Sequence, residues 1–386
     1  MQSASNPSHS RRLAYLFERY PAFTQTFCVR EIEALRGRGL DVPIFSIRSE
    51  DGEGLQKLSG DAVQDITYVP DVGRSAKNWL SPFAHRARRA RRALIDEWGR
   101  AGDRNRAYEA LWLGPKLLAR NCRHIHVHFA GVAARTAYWL KKFYDIPFSI
   151  TAHANDFFVK SESDRLSSIF AEAGFVITVS DYSVVQLETM FPILKNKVHR
   201  VYNGIDTDWF DCEPQQTEVP LIISVGRLIE KKGFGDLIEA CRQLGDLPFR
   251  CEIIGEGPLA KELEKQIRKS GLRGKVCLLG PKTESEIKGK LAEASVFALA
   301  CRTESDGGKD NLPTVIMEAM AAQLPVASTR LAGVPEMVID GETGFLSAQE
   351  DPAAFAVILQ KLLADPALRR DMGLKGKRLA MEKFDS

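Results

Sequence analysis

The chain is 386 residues long and 44% hydrophobic, which is material for two cores of near-equal size rather than one. A net charge of only +3 gives no argument for a nucleic-acid partner. The seven cysteines (Cys28, Cys122, Cys212, Cys241, Cys251, Cys277 and Cys301) form no C-x-x-C pair, so they read as reduced intracellular thiols rather than a disulfide or zinc framework.

The opening MQSASNPSHSRR is polar and lacks the apolar stretch of a signal peptide, so it is expected to be a frayed tail. No apolar run approaches the roughly 18 residues that span a bilayer, and a cytoplasmic location is the expectation. RLAYLF (12–17) reads as a first strand and TFCVREIEALRGRG (26–39) as a helix that ends in glycines suited to a C-terminal cap. DVPIFSI (41–47), HIHVHF (124–129), PFSITA (147–152), GFVITVS (174–180) and KVHRVY (197–202) follow as strands, with helical stretches between them. Alternation of this kind predicts right-handed crossovers and a parallel sheet covered on both faces.

Between the second and third of these strands lies a basic stretch, Arg86, Arg88, Arg89, Arg91 and Arg92, flanked by Trp79, Leu80, Phe83, Leu94, Ile95 and Trp98. It reads equally as a segment lying on an anionic membrane, where a lipid-linked acceptor is found, or as a solvated helix face with its aromatics turned inward.

The pattern then restarts. DCEPQQTEVP (211–220) is polar with two prolines and reads as a linker, which places the domains at 1–211 and 212–386. LIISVG (221–226) opens a second unit. Helix FGDLIEACRQL, strand FRCEIIG, helix LAKELEKQIRKSG, strand KVCLLG, helix ESEIKGKLAEA, strand VFALA, helix TVIMEAMAAQ and strand LPVAST follow, with helices to the end. Two consecutive doubly wound units imply a cleft between them, and ligands of open parallel sheets bind at the carboxyl ends of the strands.

Three constellations sit at such ends in the second unit. Gly226-Arg227-Leu228 closes its first strand, with Lys232-Gly233 just before the next helix. Glycine allows close backbone approach, and Arg and Lys at a strand-to-helix turn can clamp a diphosphate, although a basic solvated loop has the same composition. Gly255-Glu256-Gly257-Pro258 permits a tight turn, either beside a base or ribose or as a plain turn. Asp310-Asn311-Leu312-Pro313-Thr314 opens an apolar helix after the glycine-rich Ser305-Asp306-Gly307-Gly308. Free amides at that helix start favour phosphate oxygens, and Pro313 suits the first turn. Asp310 before the helix and Glu318 inside it can accept hydrogen bonds from a donor sugar and a ribose diol, and an idle carboxylate at 318 is disfavoured among apolar neighbours.

Together these pieces resemble the retaining glycosyltransferases of family 4, which have the two-domain GT-B fold. The tail of the motif fits too: Glu318-Ala319-Met320-Ala321, Pro325-Val326, Gly333-Val334-Pro335-Glu336 and Gly341-x-x-Gly344-Phe345. The resemblance implies that Arg227 and Lys232 bind the donor diphosphate, that Asp310 contacts the transferred sugar and that Glu318 contacts the ribose. It departs from the family at Asp310, which stands for the usual glutamate, one methylene longer. In the first unit, Tyr20-Pro21-Ala22-Phe23-Thr24-Gln25-Thr26-Phe27 is similar to a segment of the exopolysaccharide and colanic-acid branch, in which the position of Gln25 is more often glutamate. Phe23, Thr24, Gln25 and Thr26 are thereby expected on the acceptor side, with simple N-capping as the bland alternative for the threonines. His153, in Thr151-Ala152-His153-Ala154-Asn155-Asp156, is implied to reach the donor sugar near the reacting centre, with Asp156 beside it.

The reaction so implied retains anomeric configuration. The second domain holds a nucleotide sugar, UDP preferred and GDP open, and domain closure brings His153 and the 24–27 loop against it. The acceptor hydroxyl of a glycan, a lipid-linked molecule or a small molecule attacks C1 from the face the diphosphate leaves, and no residue stands out as general base. Family members return their last helix to the first domain; here the chain stops at Phe384-Asp385-Ser386, and that helix is expected to be incomplete.

Two signals that point to metal are read otherwise. His124, His126 and His128 share one strand face, but a packed, hydrogen-bonded strand is expected there rather than a metal site. Asp206-Thr207-Asp208 spells D-x-D, but it follows Asn203-Gly204, and an Asn-Gly turn with Asx capping accounts for it. No cofactor and no divalent metal are expected, with Arg227, Lys232 and helix N-termini neutralising the leaving diphosphate. The alternatives are a nucleotide-sugar epimerase of the same architecture, which needs acid/base groups beyond His153 and Asp310, and a non-catalytic partner subunit. An NAD enzyme is disfavoured because no G-x-G-x-x-G follows either first strand.

Overall fold

The structure, a computed structural model, describes residues 12–21, 26–49, 65–70, 103–158, 163–215 and 217–386. The chain divides into two compact units. The first is Met1–Phe157 with Ser161–Thr178 and Gln186–Arg200, and the second is Val201–Ser386 with Phe158–Lys160 and Val179–Val185. Residues 201–211 thus pack with the second unit. The basic stretch of residues 86–92 and its aromatic flanks lie outside the described residues.

The first unit is built on a seven-stranded sheet in the order β3-β2-β1-β4-β5-β6-β7, every pair parallel. Its strands are β1 Arg12–Arg19, β2 Ile44–Arg48, β3 Ile66–Tyr68, β4 Cys122–His128, β5 Phe148–Thr151, β6 Val176–Thr178 and β7 Val198–Arg200. Ala14 to Phe17 of β1 are buried without alternation, as expected of a strand covered on both faces. Tyr15, Phe17, Cys28, Ile32 and Ile44 form one cluster beneath the helix Thr26–Gly37.

In the second unit a six-stranded sheet has the order β10-β9-β8-β11-β12-β13, again wholly parallel. These strands are β8 Leu221–Val225, β9 Arg250–Ile254, β10 Val276–Gly280, β11 Val296–Leu299, β12 Val326–Thr329 and β13 Gly344–Ser347. All five residues of β8 are buried. In both sheets the order reverses beside the first strand, at β1/β4 and at β8/β11. The loops that leave those strands therefore diverge and open the crevice in which doubly wound sheets bind ligands.

Two strands depart from the sequence expectation. β3 is three residues long and gives too short a period to read. β13 lies where only helices were expected, because it opens on Gly344, a residue that ordinarily signals a break. A Cβ at Gly344 would stand 2.1 Å from the carbonyl oxygen of Val326, so glycine is what lets β13 pair closely with β12. No turn forms at Asn203-Gly204 either. The chain runs extended there into a bridge between Ile205 and Asp385, and a Cβ at Gly204 would stand 2.7 Å from that of Ser386. Among the described residues, no helix is long and apolar enough to cross a membrane.

Candidate functional site

The loop after β8 and the loop after β11 leave from the switch point of the second sheet, and they bring together most of the charge predicted there. Lys232 Nζ lies 2.5 Å from Asp310 Oδ2, and Lys231 Nζ lies 3.5 Å from Asp310 Oδ1. All three side chains are largely buried. Burial works against the Asp310 carboxylate, but Lys232 and then Lys231 outweigh it and hold its pKa down. Lys232 moves the other way: burial opposes its charge, and Asp310 more than restores it. Both groups are therefore ionised at neutral pH. Arg227 is exposed, its side chain makes no hydrogen bond or ion pair among the described residues, and it lies near enough to oppose the charge on Lys232. The predicted diphosphate residues and the predicted sugar-binding carboxylate thus form one cluster. Lys231 was not predicted; its only sequence signal is that it precedes Lys232 on the three-residue helix Glu230–Lys232.

Glycine shapes this cluster more than it shapes a turn. A Cβ at Gly255 would stand 1.9 Å from the Gly226 carbonyl oxygen, and one at Gly257 would stand 2.5 Å from that of Leu228. The two segments run side by side, Gly226 N–H donating to Ile254 C=O and Leu228 N–H to Glu256 C=O. Gly255 and Gly257 accordingly let one loop lie flat on the other, and the turn expected of them falls at Pro258 and Leu259 instead. Gly233 ends the Glu230–Lys232 helix at φ +65°, with the Ala300 carbonyl pressed against its Cα.

The third predicted segment is equally ordered. The helix runs Thr314–Ala321, with Pro313 one residue earlier than predicted, at the N-cap. Ile316 N–H donates to Pro313 C=O, so one of the amides expected to be free at this end is taken. Leu312 packs into the core, and Glu318 is buried within the helix. Asn311 Oδ1 accepts from Ser180 Oγ at 2.7 Å, while its Nδ2 is buried without a partner among the described residues, Ser180 and Asn311 both belonging to the second unit. Glu336 of the motif tail accepts from the backbone N–H groups of Asp181 and Tyr182 and from Tyr202 Oη, which caps the helix Asp181–Met190. Asp206 accepts from Trp209 N–H at 2.7 Å as the N-cap of Thr207–Phe210, which is the capping role expected of this D-x-D.

In the first unit, Phe23, Thr24 and Gln25 lie outside the described residues, and Thr26 begins the first helix. His153 follows β5. Its backbone N–H donates to Asp156 Oδ2 at 2.8 Å, so the predicted acceptor-side carboxylate is engaged in holding this loop. His153 Nε2 lies 3.2 Å from Nδ1 of His128, at the end of β4. His128 Nε2 in turn lies 3.2 Å from Glu31 Oε2, and Tyr15 Oη donates to Glu31 Oε1 at 2.5 Å. This row was not visible in the sequence. His128 was read only as one of three strand histidines, and Glu31 as one position of an amphipathic helix.

Burial opposes ionisation of Glu31, but the attraction of His128 and the hydrogen bonds from His128 and Tyr15 prevail and hold its carboxyl at about 2. Burial also opposes charge on His128, and Cys28 and Glu31 together push its pKa up to about 10. Burial raises the Cys28 thiol as well. His153 and His126 are pushed down, first by burial and then by the neighbouring charge of His128. A carboxyl with a lowered pKa stabilises the fold above its ordinary 4.5, and that contribution fades as pH falls through 2. A histidine with a raised pKa stabilises it below 6.5, and that contribution fades as pH rises through 10. The gap in urea midpoint between wild type and Glu31→Gln is therefore expected to be widest between pH 4.5 and 6.5 and to narrow on either side. A gap independent of pH would refute the pairing.

The expected strand packing holds for two of the three histidines. His126 uses Nδ1 on Ser149 Oγ and Nε2 on Thr151 Oγ1, each at 2.8 Å, and His124 Nε2 is 2.8 Å from the same Ser149 hydroxyl. Glu31, His126 and His128 nonetheless place one ligand-type atom each within 4.8 Å of one another, a grouping with the shape of a metal site.

Residues 24–209 match the family model described as Glycosyltransferase Family 4, and residues 206–379 match that of Glycosyl transferases group 1. The chain is 30% identical over 264 residues to the uncharacterized glycosyltransferase MJ1178 of Methanocaldococcus jannaschii, covering 67% of this chain and 70% of that one. The chain belongs to glycosyltransferase family 4. This family 4 glycosyltransferase is also 29% identical, over 97% of its length and 95% of the relative's, to WcaL of Escherichia coli (strain K12), named for colanic acid biosynthesis. Among solved structures it is similar to Anabaena HepE in complex with UDP, with a TM-score of 0.74, 18% identity and coverage of 97% and 96% of the two chains. At that identity the likeness shows the fold alone, which is GT-B with two Rossmann-like units.

Proposed function

We propose that this glycosyltransferase is retaining and metal-independent, and that it moves a sugar from UDP to a hydroxyl of a glycan or lipid-linked acceptor in cell-surface polysaccharide biosynthesis. The cluster at the β8/β11 switch point carries the proposal. Two lysines pair with a single buried aspartate and Arg227 lies near Lys232, leaving an excess of positive charge suited to a diphosphate. Arg227, whose exposed side chain makes no hydrogen bond or ion pair among the described residues, clamps the diphosphate. Lys231 and Lys232 neutralise it as the leaving group, so no divalent cation is needed. Asp310, held ionised between the lysines, accepts from the transferred sugar, and Glu318 accepts from the ribose. His153 contacts the transferred sugar. UDP is preferred over GDP, and the relation to WcaL and the UDP held by HepE support this reading.

Calorimetric titration with UDP and GDP, each with and without EDTA, tests it on wild type, Arg227→Ala and Glu318→Ala. Micromolar UDP binding that ignores EDTA and weakens at least tenfold in both variants is expected, since a charge-assisted hydrogen bond contributes about 1.5–3 kcal/mol. Binding of neither diphosphate, or binding abolished by EDTA, would overturn the donor site as drawn. Donor hydrolysis in the absence of acceptor separates an enzyme from a non-catalytic subunit.

A further inference from the structure

His126 and His128 stand two residues apart on β4 and therefore share one face of the sheet. The helix Thr26–Gly37 brings Glu31 to them, so that one ligand-type atom of each residue lies within 4.8 Å of the others. The group belongs wholly to the first unit and has no part in the function just proposed.

One atom of the group is left over. The side chain of His128 is 1% exposed, and its Nε2 faces Glu31 Oε2 across 3.2 Å, too far out of line for a full hydrogen bond. It has no other partner among the described residues. A buried ring nitrogen in that position is costly unless something further fills the place. The ring cannot turn to find it, because Phe17 stacks on it at 5.5 Å and 9° and Tyr15 at 5.8 Å and 27°. Glu31 is held from behind in the same way, Tyr15 Oη donating to Oε1 and leaving Oε2 toward His128.

Ligand atoms of a tetrahedral zinc site, with bonds of about 2.0–2.2 Å, stand about 3.3–3.5 Å from one another. Glu31 Oε2 and His128 Nε2 already have close to that spacing. His126 completes the set by giving up one of its two hydroxyl contacts, to Ser149 or to Thr151, and the other keeps its ring oriented. A histidine that ligates through Nε2 is a neutral imidazole with its hydrogen on Nδ1, and His153 Nε2, 3.2 Å from that atom of His128, is placed to accept it. Two imidazoles and one carboxylate select a zinc-type cation over calcium or magnesium, which prefer oxygen throughout.

We propose that Glu31, His126 and His128 bind one divalent cation of the zinc type, which ties the first helix to β4. The tie is structural. The leaving diphosphate meets Lys231 and Lys232 in the other unit, so this cation takes no part in the transfer. In the metal-free chain a proton stands in its place between Glu31 and His128, and metal binding displaces that proton.

The test uses the full chain, stripped with EDTA, dialysed and titrated with cobalt(II) chloride and then zinc chloride. Wild type is expected to take up one cobalt per chain with the visible absorption of a low-coordinate site, to exchange it for zinc, and to melt at a higher temperature with zinc than without. Glu31→Gln and His128→Asn should each weaken zinc binding by at least about 100-fold, and Tyr15→Phe, which only positions Glu31, by about tenfold. Cys277→Ser and His199→Asn remove an exposed thiol and an exposed imidazole and should change nothing. Circular dichroism shows whether each variant is folded, and the wild-type stoichiometry needs no variant at all. No stoichiometric uptake by wild type would overturn the inference. So would uptake that survives both Glu31→Gln and His128→Asn, or that is lost in Cys277→Ser or His199→Asn, because the cation would then sit on the surface.

Discussion

Lys232→Ala is expected to lower kcat by about 100- to 1,000-fold and to cost about 3 kcal/mol of stability. The two effects have one origin. Lys232 and Asp310 sit 2.5 Å apart with side chains only 14% and 13% exposed, so deleting the ammonium leaves a carboxylate stranded away from water. Lys231, at 3.5 Å, remains to share the charge, which keeps the stability loss at the low end for a broken buried pair. It cannot replace the lost positive charge on the leaving diphosphate, so the catalytic loss stays near that of removing one preorganised donor. The double variant Lys232→Met with Asp310→Leu separates the two effects. It should regain most of the stability, because no charge is left unpaired, and none of the activity. Urea unfolding and steady-state release of nucleotide measure both. A kcat within threefold of wild type for Lys232→Ala would remove the cluster from the mechanism.

Gly233→Ala is expected to be the more damaging to the fold, at about 4 kcal/mol by urea unfolding. Gly233 has φ +65°, where any L-residue pays about 1–2 kcal/mol. Its missing Cβ would also stand 1.7 Å from the carbonyl oxygen of Ala300, on the strand end beside it, so the loop after β8 must lift off the sheet. Gly245→Ala is the control. It has nearly the same backbone, φ +59°, but nothing within 4 Å of the added methyl, so it should cost only about 1 kcal/mol. Equal losses at the two positions would show that backbone conformation, and not the Ala300 contact, is what glycine serves at 233. Lifting this loop also displaces Lys231 and Lys232, so Gly233→Ala should lose diphosphate binding while Gly245→Ala keeps it.

Much of this was determined by sequence alone. Continuous apolar runs such as LIISV at 221–225, separated by amphipathic stretches, can only be satisfied by parallel strands covered on both faces, and the order of elements then dictates two doubly wound sheets. Arg227, Lys232, Asp310 and Glu318 stood out as candidates because they follow strand ends, where such sheets bind ligands. Three things were decided only by tertiary structure. The pairing of Lys231 and Lys232 with Asp310 joins loops nearly eighty positions apart, and no local pattern records it. Gly255, Gly257 and Gly344 look like turn or break signals, but their reason lies in the neighbouring segment that a Cβ would strike. The row from Tyr15 to His153 draws on two strands, a helix and a loop, and its charges exist only because burial and proximity set one proton against another. Periodicity along the chain reports which face of an element is covered. What covers it, and therefore which proton each histidine carries, depends on residues distant in sequence and adjacent only in the fold.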